Sequence, residues 1–491
     1  MTLLAFNLNP ENLALLGSAL IIVAILVNKV GARVGLPFLL LALIVGVVAG
    51  PDVIGIHFDN YEKAKSIGHL AMTIILFTAG FETSFPKIKP IFWQGVVLST
   101  VGVILTVLIT GLFIYFVLGR PLMVSVSGAF LLAAILSSTD SASVFSILRT
   151  RRLRLREDLG NLLELESGSN DPMANTLTII LVSLAGNPST YYMGAGPIIT
   201  SALTVLVTQL VIGLAAGFIL GYLAVLVIKY LRLPGGALYA ILILCFGLLS
   251  SGLAEYFHGN GLLAIYVSAI IMGQMKMFPQ KREVMHFFDG LTWLVQLIMF
   301  IMLGLLACPS MMLHSIVPSN CIGLFIMLVA RPAGVLLSML PFRNFSFRAK
   351  LFTSWVGLKG AGPILFAIYP IVAHIGGGVE LFNIVFVITL MSLLIQGTTL
   401  RPFARLLRLS YDEDPVTETF GMEIPDEMGM LRDHTVSEED LAGGNTLRDL
   451  HLPHGIRVMM VRRGGKFLVP HGSMTLVPGD KLIIIMGDSD D

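Results

Sequence analysis

This 491-residue chain has little charge: Asp, Glu, Lys and Arg make up 13%, against 55% hydrophobic residues. Soluble domains carry about 25% charged residues, so the composition excludes a water-solvated fold and points to a polytopic membrane protein in contact with lipid. The formal net charge of +1 says little about partners, because the charges are sorted by position rather than in excess; no nucleic acid is expected. Cysteine is scarce as well. Cys245, Cys308 and Cys321 lie in or beside apolar runs without metal-ligand spacing and read as packing residues, with a meeting of Cys308 and Cys321 on the non-cytoplasmic side as the alternative. The N-terminus MTLLAFNLNPENLALLG lacks a basic n-region and a small-residue cleavage site, so its apolar run is expected to remain as a span. No HExxH and no Ser/His dyad falls within the spans, which argues against an intramembrane enzyme.

What is present is a succession of apolar runs broken by short polar loops. They predict spans near 12–30, 36–50, 66–85, 90–118, 122–148, 158–185, 194–230, 235–254, 259–275, 287–307, 314–340, 349–374 and 379–400. Basic residues collect in loops after odd-numbered spans, with Arg149, Arg151, Arg152, Arg154 and Arg156 after the fifth. Loops after even-numbered spans hold only Lys63, Lys65 and Arg120. By the positive-inside rule the N-terminus is expected outside and the C-terminus in the cytoplasm. The predicted fold class is thus an all-α membrane protein of 13 transmembrane helices, carrying a small cytoplasmic α+β module.

The chemistry is concentrated in Glu164–Thr176, reading ELESGSNDPMANT, at the start of the sixth span. An Asp at the centre of a membrane helix costs ~2.5–3.5 kcal/mol on insertion scales, so a functional role is the default. At helical spacing Glu166 and Asn170 share one face, and Ser167 and Asp171 the adjacent one. Pro172 lacks an N–H and leaves the Gly168 carbonyl without its usual partner, weakening the helix beside the acid. A cation site fits this pattern. In the fifth span Asp140 follows Thr139 inside the run SSTDSAS, read as an interrupted helix whose freed carbonyls lie near Thr139 and whose second half Asp140 caps. The twelfth span holds GLKGAGP, three glycines and a proline around Lys359, and reads as a second broken helix. The two spans are seven apart and cross in opposite directions, the pattern of inverted repeats whose discontinuous helices meet at a transport site. Lys359 would offset the negative ends of the half-helices. Arg331 stays charged in mid-span and needs a buried anion, Glu166 or Asp171; pairing with Glu166 leaves Asp171 free to titrate. Glu82 ends the third span and is read as lining an entrance, or as an ordinary interfacial acid.

From about 409 the composition changes to an acidic linker (409–430). A module over 431–491 follows, in which a polar, partly helical segment precedes strands at IRVMMVRR, KFLVP and DKLIIIMG. Arg457, Arg462, Arg463 and Lys466 form a basic patch, read either as a site for an anionic ligand or as solvated strand edges. No Gly-x-Gly-x-x-Gly half precedes the module, so NAD is not expected.

Together these residues resemble the monovalent cation:proton antiporters of the NhaP type. The resemblance rests on Thr139-Asp140, Glu166-Ser167 with Asn170-Asp171, Phe81-Glu82, Ala330-Arg331 and Gly357-Leu358-Lys359-Gly360, and it covers about 10–400 (1–408 as a domain). It implies a homodimer in the bacterial inner membrane, each protomer having a dimerisation domain and a six-helix core that moves like an elevator. It implies Asp171, Ser167, Glu82 and the Thr139 main chain as ligands, with Glu166–Arg331 a structural ion pair. Lys359 stands where sodium:proton exchangers have arginine, keeping the charge without the fork. The tail resembles the TrkA C-terminal regulatory module, and the whole arrangement is similar to bacterial potassium:proton antiporters that carry this module after the thirteenth span. Several of those extend further, so the chain is read as a shorter relative or a truncation. The expected activity is electroneutral one-for-one exchange of potassium, or sodium, for a proton. No cofactor is expected beyond a nucleotide or cyclic dinucleotide at the tail. A regulated monovalent cation channel is the alternative, against which no carbonyl-ring filter motif is found.

Overall fold

The computed structural model describes residues 6–7, 10–34, 37–119, 125–140, 143–144, 153–187, 195–231, 233–275, 281–412, 431–437, 440–441, 443–450, 456–463 and 466–486. It divides into two compact units, Met1–Tyr411 and Asp412–Asp491.

The first unit is helical. Among the described residues seven helices are long and apolar enough to cross a membrane, accompanied by five shorter apolar ones. The helices are α1 (Pro10–Val34), α2 (Phe38–Ala49), α3 (Tyr61–Glu82), α4 (Phe85–Leu118), α5 (Val126–Ile135), α6 (Leu159–Gly186) and α7 (Ala195–Tyr230). They continue as α8 (Gly236–Tyr256), α9 (Gly261–Gly273), α10 (Lys281–Leu305), α11 (Pro309–Ser338), α12 (Phe347–Trp355), α13 (Ala361–Val372) and α14 (Gly378–Leu406). The 28-residue α6 is absent from the seven: Asn170, Asp171 and Asn175 depress the apolarity of even its most apolar part, beyond Glu164 and Glu166. The cysteines are free thiols.

Two packing groups arise from the apolar faces. One joins α1–α3 with α7–α10, the other α4–α6 with α11–α14. Lipid supplies no hydrophobic drive between helices, so close packing of small residues holds such groups together. Helices α4 and α11 each contain wide π turns, Leu98–Gly102 and Ile114–Leu118 in the first and Ile326–Ala330 in the second. The last of these runs directly into Arg331.

Two helices are interrupted within the second group. Chain leaves α5 at Ile135, runs non-helically through Ser138–Asp140, and is helical again at Ser143. Residues 145–148 of the predicted fifth span, and the arginines at 149–152, lie outside the described residues. The second break separates α12 from α13 over Val356–Gly360, where glycines carry the chain. Serine 392 and Gln396 of α14 stitch this break. The Lys359 N–H donates to Ser392 Oγ at 2.9 Å, and Gln396 Nε2 donates to the Trp355 carbonyl at 2.8 Å.

The second unit corrects one expectation. Its described residues form a four-stranded antiparallel sheet of β1 (Leu431–Thr435), β2 (Ile456–Arg463), β3 (Lys466–Leu468) and β4 (Lys481–Met486), in the order β1-β4-β2-β3. Val461 opposite Leu482 is fully buried in its core, with Val436, Leu450 and Leu476. No helix is found among the described residues of 434–452, where helical pattern was expected. Asp440 accepts from the Ser437 amide at 2.8 Å, Asp449 accepts from the Thr446 amide at 3.2 Å, and Gly444 has φ +145°. Such local side-chain bonds hold turns in preference to a helix. The edge strand β1 was not read from the sequence.

Candidate cation site at the helix crossing

The two breaks meet. The Asp140 N–H donates to the Leu358 carbonyl at 2.9 Å, joining one interrupted backbone to the other. Lys359, 2% exposed, donates from Nζ to the Ser138 carbonyl at 3.1 Å, bringing its amine to the carbonyl end of α5, the negative end of the helix dipole. Asp140 caps the resumed helix, accepting from the Ser143 amide at 3.1 Å and from Ser143 Oγ at 2.5 Å. Contact is close enough that a Cβ on Gly360 would run into the Asp140 carboxylate, and one on Gly362 would lie 2.7 Å from Ser138 Oγ.

Helix α6 lies against this crossing. Ser138 Oγ donates to Asp171 Oδ1 at 2.5 Å, and Ser167 Oγ donates to the Thr139 carbonyl at 2.7 Å. Asn170, fully buried, donates from Nδ2 to Glu166 Oε1 at 2.9 Å and to Thr139 Oγ1, while its Oδ1 accepts from the Thr139 amide at 3.4 Å. Arg331 Nη2 donates to Glu166 Oε1 at 2.9 Å, and both side chains are sealed at 3% and 2% exposure. Asp171 differs. It retains partial exposure one residue beyond the fully buried Asn170.

The structure therefore gathers Thr139, Asp140, Glu166, Ser167, Asn170, Asp171, Arg331 and Lys359. Glu82 falls elsewhere, at the end of α3 beside Thr83, whose hydroxyl donates to Glu164 Oε1 at 2.8 Å. That contact is seven residues, about 10 Å, along α6 from Asp171. Ser138 was missed as an Asp171 partner; the hydroxyl-rich run signalled a group of that kind but not which of its members faces the acid.

In the second unit Arg463 is engaged internally. Its Nε and Nη2 donate to the two oxygens of Asp480 at 2.8 and 2.6 Å, and Nη2 also reaches the Thr475 carbonyl at 2.6 Å. These bonds, led by the guanidinium, hold the Asp480 carboxyl below the usual carboxylate range. The basic patch is corrected on this point: Arg463 closes the turn before β4. Arg462 faces Lys481 and Phe467 across the sheet. Arg457 and Lys466 lie on β2 and β3, with side chains outside the described residues.

Chemically, a carboxylate, two hydroxyls and a freed main-chain carbonyl make a hard-oxygen environment of low charge, suited to a small monovalent cation rather than to a transition metal. Among the described residues no cluster of three His, Cys, Asp or Glu exists that would hold a metal ion.

A multi-pass membrane protein with an acid at the crossing of two broken helices defines a class, and comparison with known proteins places the chain within it. It belongs to the sodium/hydrogen exchanger family, whose transmembrane model matches residues 17–406, and a TrkA-C domain follows at residues 431–490. It is 36% identical over 474 residues to the K(+)/H(+) antiporter NhaP2 of Shewanella sp. (strain MR-4), covering 96% of this chain and 80% of that protein. It is 34% identical to the K(+)/H(+) antiporter NhaP of Alkalimonas amylolytica, covering 95% and 79%. The sodium proton antiporter MjNhaP1 from Methanocaldococcus jannaschii shares its fold, with a TM-score of 0.67 at 21% identity over 81% of this chain and 98% of that one.

Proposed function

We propose that the chain, a cation/proton antiporter by family, exchanges one potassium ion for one proton per cycle at Asp171, with sodium as the alternative cation. The observation that carries this is the unequal treatment of the two acids on α6. Glu166 is sealed and held by Arg331, whereas Asp171 keeps accessible surface and meets a neutral hydroxyl. One acid is thereby left to trade a proton for a cation on the same oxygens, and one titrating charge supports an electroneutral count. Ser138, Ser167 and the Thr139 carbonyl are the further oxygens nearest to hand. Potassium is favoured because the relatives named K(+)/H(+) antiporters match across both the membrane unit and the tail.

Counting α12 and α13 as one interrupted span gives thirteen crossings, with the N-terminus outside and the C-terminus in the cytoplasm of a bacterial inner membrane. The group α1–α3 with α7–α10 serves as a static, dimer-forming scaffold, and α4–α6 with α11–α14 as the core that carries the site between faces. The tail module biases one of these states, with an anionic nucleotide as its ligand. No enzymatic step and no resident cofactor enter the cycle.

The test is cation-dependent collapse of a pH gradient in proteoliposomes, scanning potassium, sodium and lithium. Asp171→Asn should abolish exchange without loss of the folded protein, and the wild-type rate should not follow an imposed membrane voltage. Normal flux in the variant would remove Asp171 from the site; steep voltage dependence would contradict the one-for-one count.

A further inference from the structure

Asn260 stands just before α9 and is 2% exposed, although it belongs to neither broken helix. Its Oδ1 accepts from the Leu263 amide at 2.8 Å and caps α9. Its Nδ2 crosses to α6, donating to the Pro172 carbonyl and to Thr176 Oγ1, each at 2.7 Å. Those acceptors begin one residue beyond Asp171. The Asn260 backbone is anchored in turn: its N–H donates to the Gln209 carbonyl of α7 at 3.0 Å, and Gly213 packs so closely that a Cβ would lie 2.7 Å from the Asn260 carbonyl. The residue is thus fixed to the α7–α9 group while both of its amide protons are given to the site helix of the other group. Thr176 is fully buried, so water cannot replace the bond in place.

We propose that Asn260 is a positioning residue of the exchange cycle. It sets the height of the Asp171 helix against α7 and α9 in the described conformation, and its two bonds to α6 break each time the site moves to the other face. This rests on the moving-core reading above.

The experiment uses the full chain in proteoliposomes, with Cys245, Cys308 and Cys321 replaced by serine. Asn260→Cys combined with Thr176→Cys, once oxidised, should lower cation-dependent proton flux at least tenfold, and reduction should restore it. Potassium binding to the oxidised protein, measured by calorimetry, should stay within twofold. The control pair Ser250→Cys with Ser268→Cys ties α8 to α9 inside one group, where the two hydroxyls lie 2.9 Å apart. Oxidised, it should exchange at its reduced rate. Full exchange by the oxidised Asn260–Thr176 pair, or equal arrest of the control, would overturn the assignment. Loss of proton coupling in the reduced protein and the wild type would instead defeat the antiport reading, and this inference with it. A second variant, Asn260→Ser, keeps an acceptor for the α9 cap but is too short to reach α6. It should change the maximal rate at least threefold and cation affinity less than twofold; an unchanged maximal rate in folded protein would also overturn the proposal.

Discussion

Replacing Arg331 with alanine isolates the electrostatics of α6. In the native structure the guanidinium meets Glu166 at 2.9 Å, with both side chains all but removed from solvent. Without it, the hydrogen bonds left to Glu166 among the described residues come from neutral donors, the Asn170 amide at 2.9 Å and the Thr139 hydroxyl at 3.5 Å. Removing one partner of a buried pair costs about 3–5 kcal/mol because the other charge is left uncompensated. At 1.36 kcal/mol per tenfold change, this is roughly a hundredfold to several-thousandfold loss in the folded-to-unfolded ratio. Arg331→Ala should therefore lower the thermal midpoint and yield of detergent-purified protein well beyond Asp171→Asn. The decisive measurement is the double variant. Glu166→Gln removes the stranded charge while an amide of the same shape can still accept from Asn170, so Arg331→Ala with Glu166→Gln should recover most of the loss. If the second substitution instead adds its own destabilisation, the two residues do not act as a pair.

Gly360→Ala should lower stability by about 1–3 kcal/mol, the usual range for overpacking, and should slow exchange by pushing the Asp140 carboxylate off its cap; thermal midpoint and flux read both. Asp480 is held below its ordinary value by Arg463, so it contributes stability above its unfolded value that is lost as pH falls through the depressed folded one. Asp480→Asn should thus flatten the acid limb of the tail module's unfolding curve, measured by circular dichroism between pH 2 and 6. An unchanged acid limb would show the pair to be inert. Deleting 415–491 should leave exchange intact and alter its pH profile or its response to nucleotides. Identical curves for the two proteins across pH 6–9 would assign the module to assembly instead.

The sequence made some of this geometry legible for physical reasons. A guanidinium in hydrocarbon demands an anion, which directs attention to Glu166 or Asp171, and the structure brings Glu166 to it. Several glycines and a proline clustered around Lys359, and an Asp within a hydroxyl run, announce broken helices because a buried charge in lipid calls for the freed backbone groups that a break supplies. Helix α6 was readable as a span only because LTIILVSLA follows its acids; by apolarity alone it fails. What could not be read was helical phase. Which of five hydroxyls reaches Asp171 depends on where α5 unwinds, and that is set by packing against α13. Asn260 was invisible for a similar reason: an Asn before an apolar run signals a cap, while its reach to α6 depends on tertiary approach. In the tail, short polar side chains that satisfy turns locally mimic a weak amphipathic pattern, so turns were mistaken for helix.

The π turn at Ile326–Ala330 gives the direction of Arg331 an unusual origin. An ordinary helix advances its side chains by about 100° per residue, and a wide turn accommodates one residue beyond that rhythm. The guanidinium therefore points at Glu166 by virtue of an angular offset stored in the five residues before it, as well as by its own position in the chain. Deleting one residue of that stretch would restore a regular helix and leave Arg331 on nearly the same bearing, whereas tightening it to an ordinary helix at its present length would swing Arg331 about a third of a turn. The bearing is thus held by the match between the length of the stretch and the width of its turn.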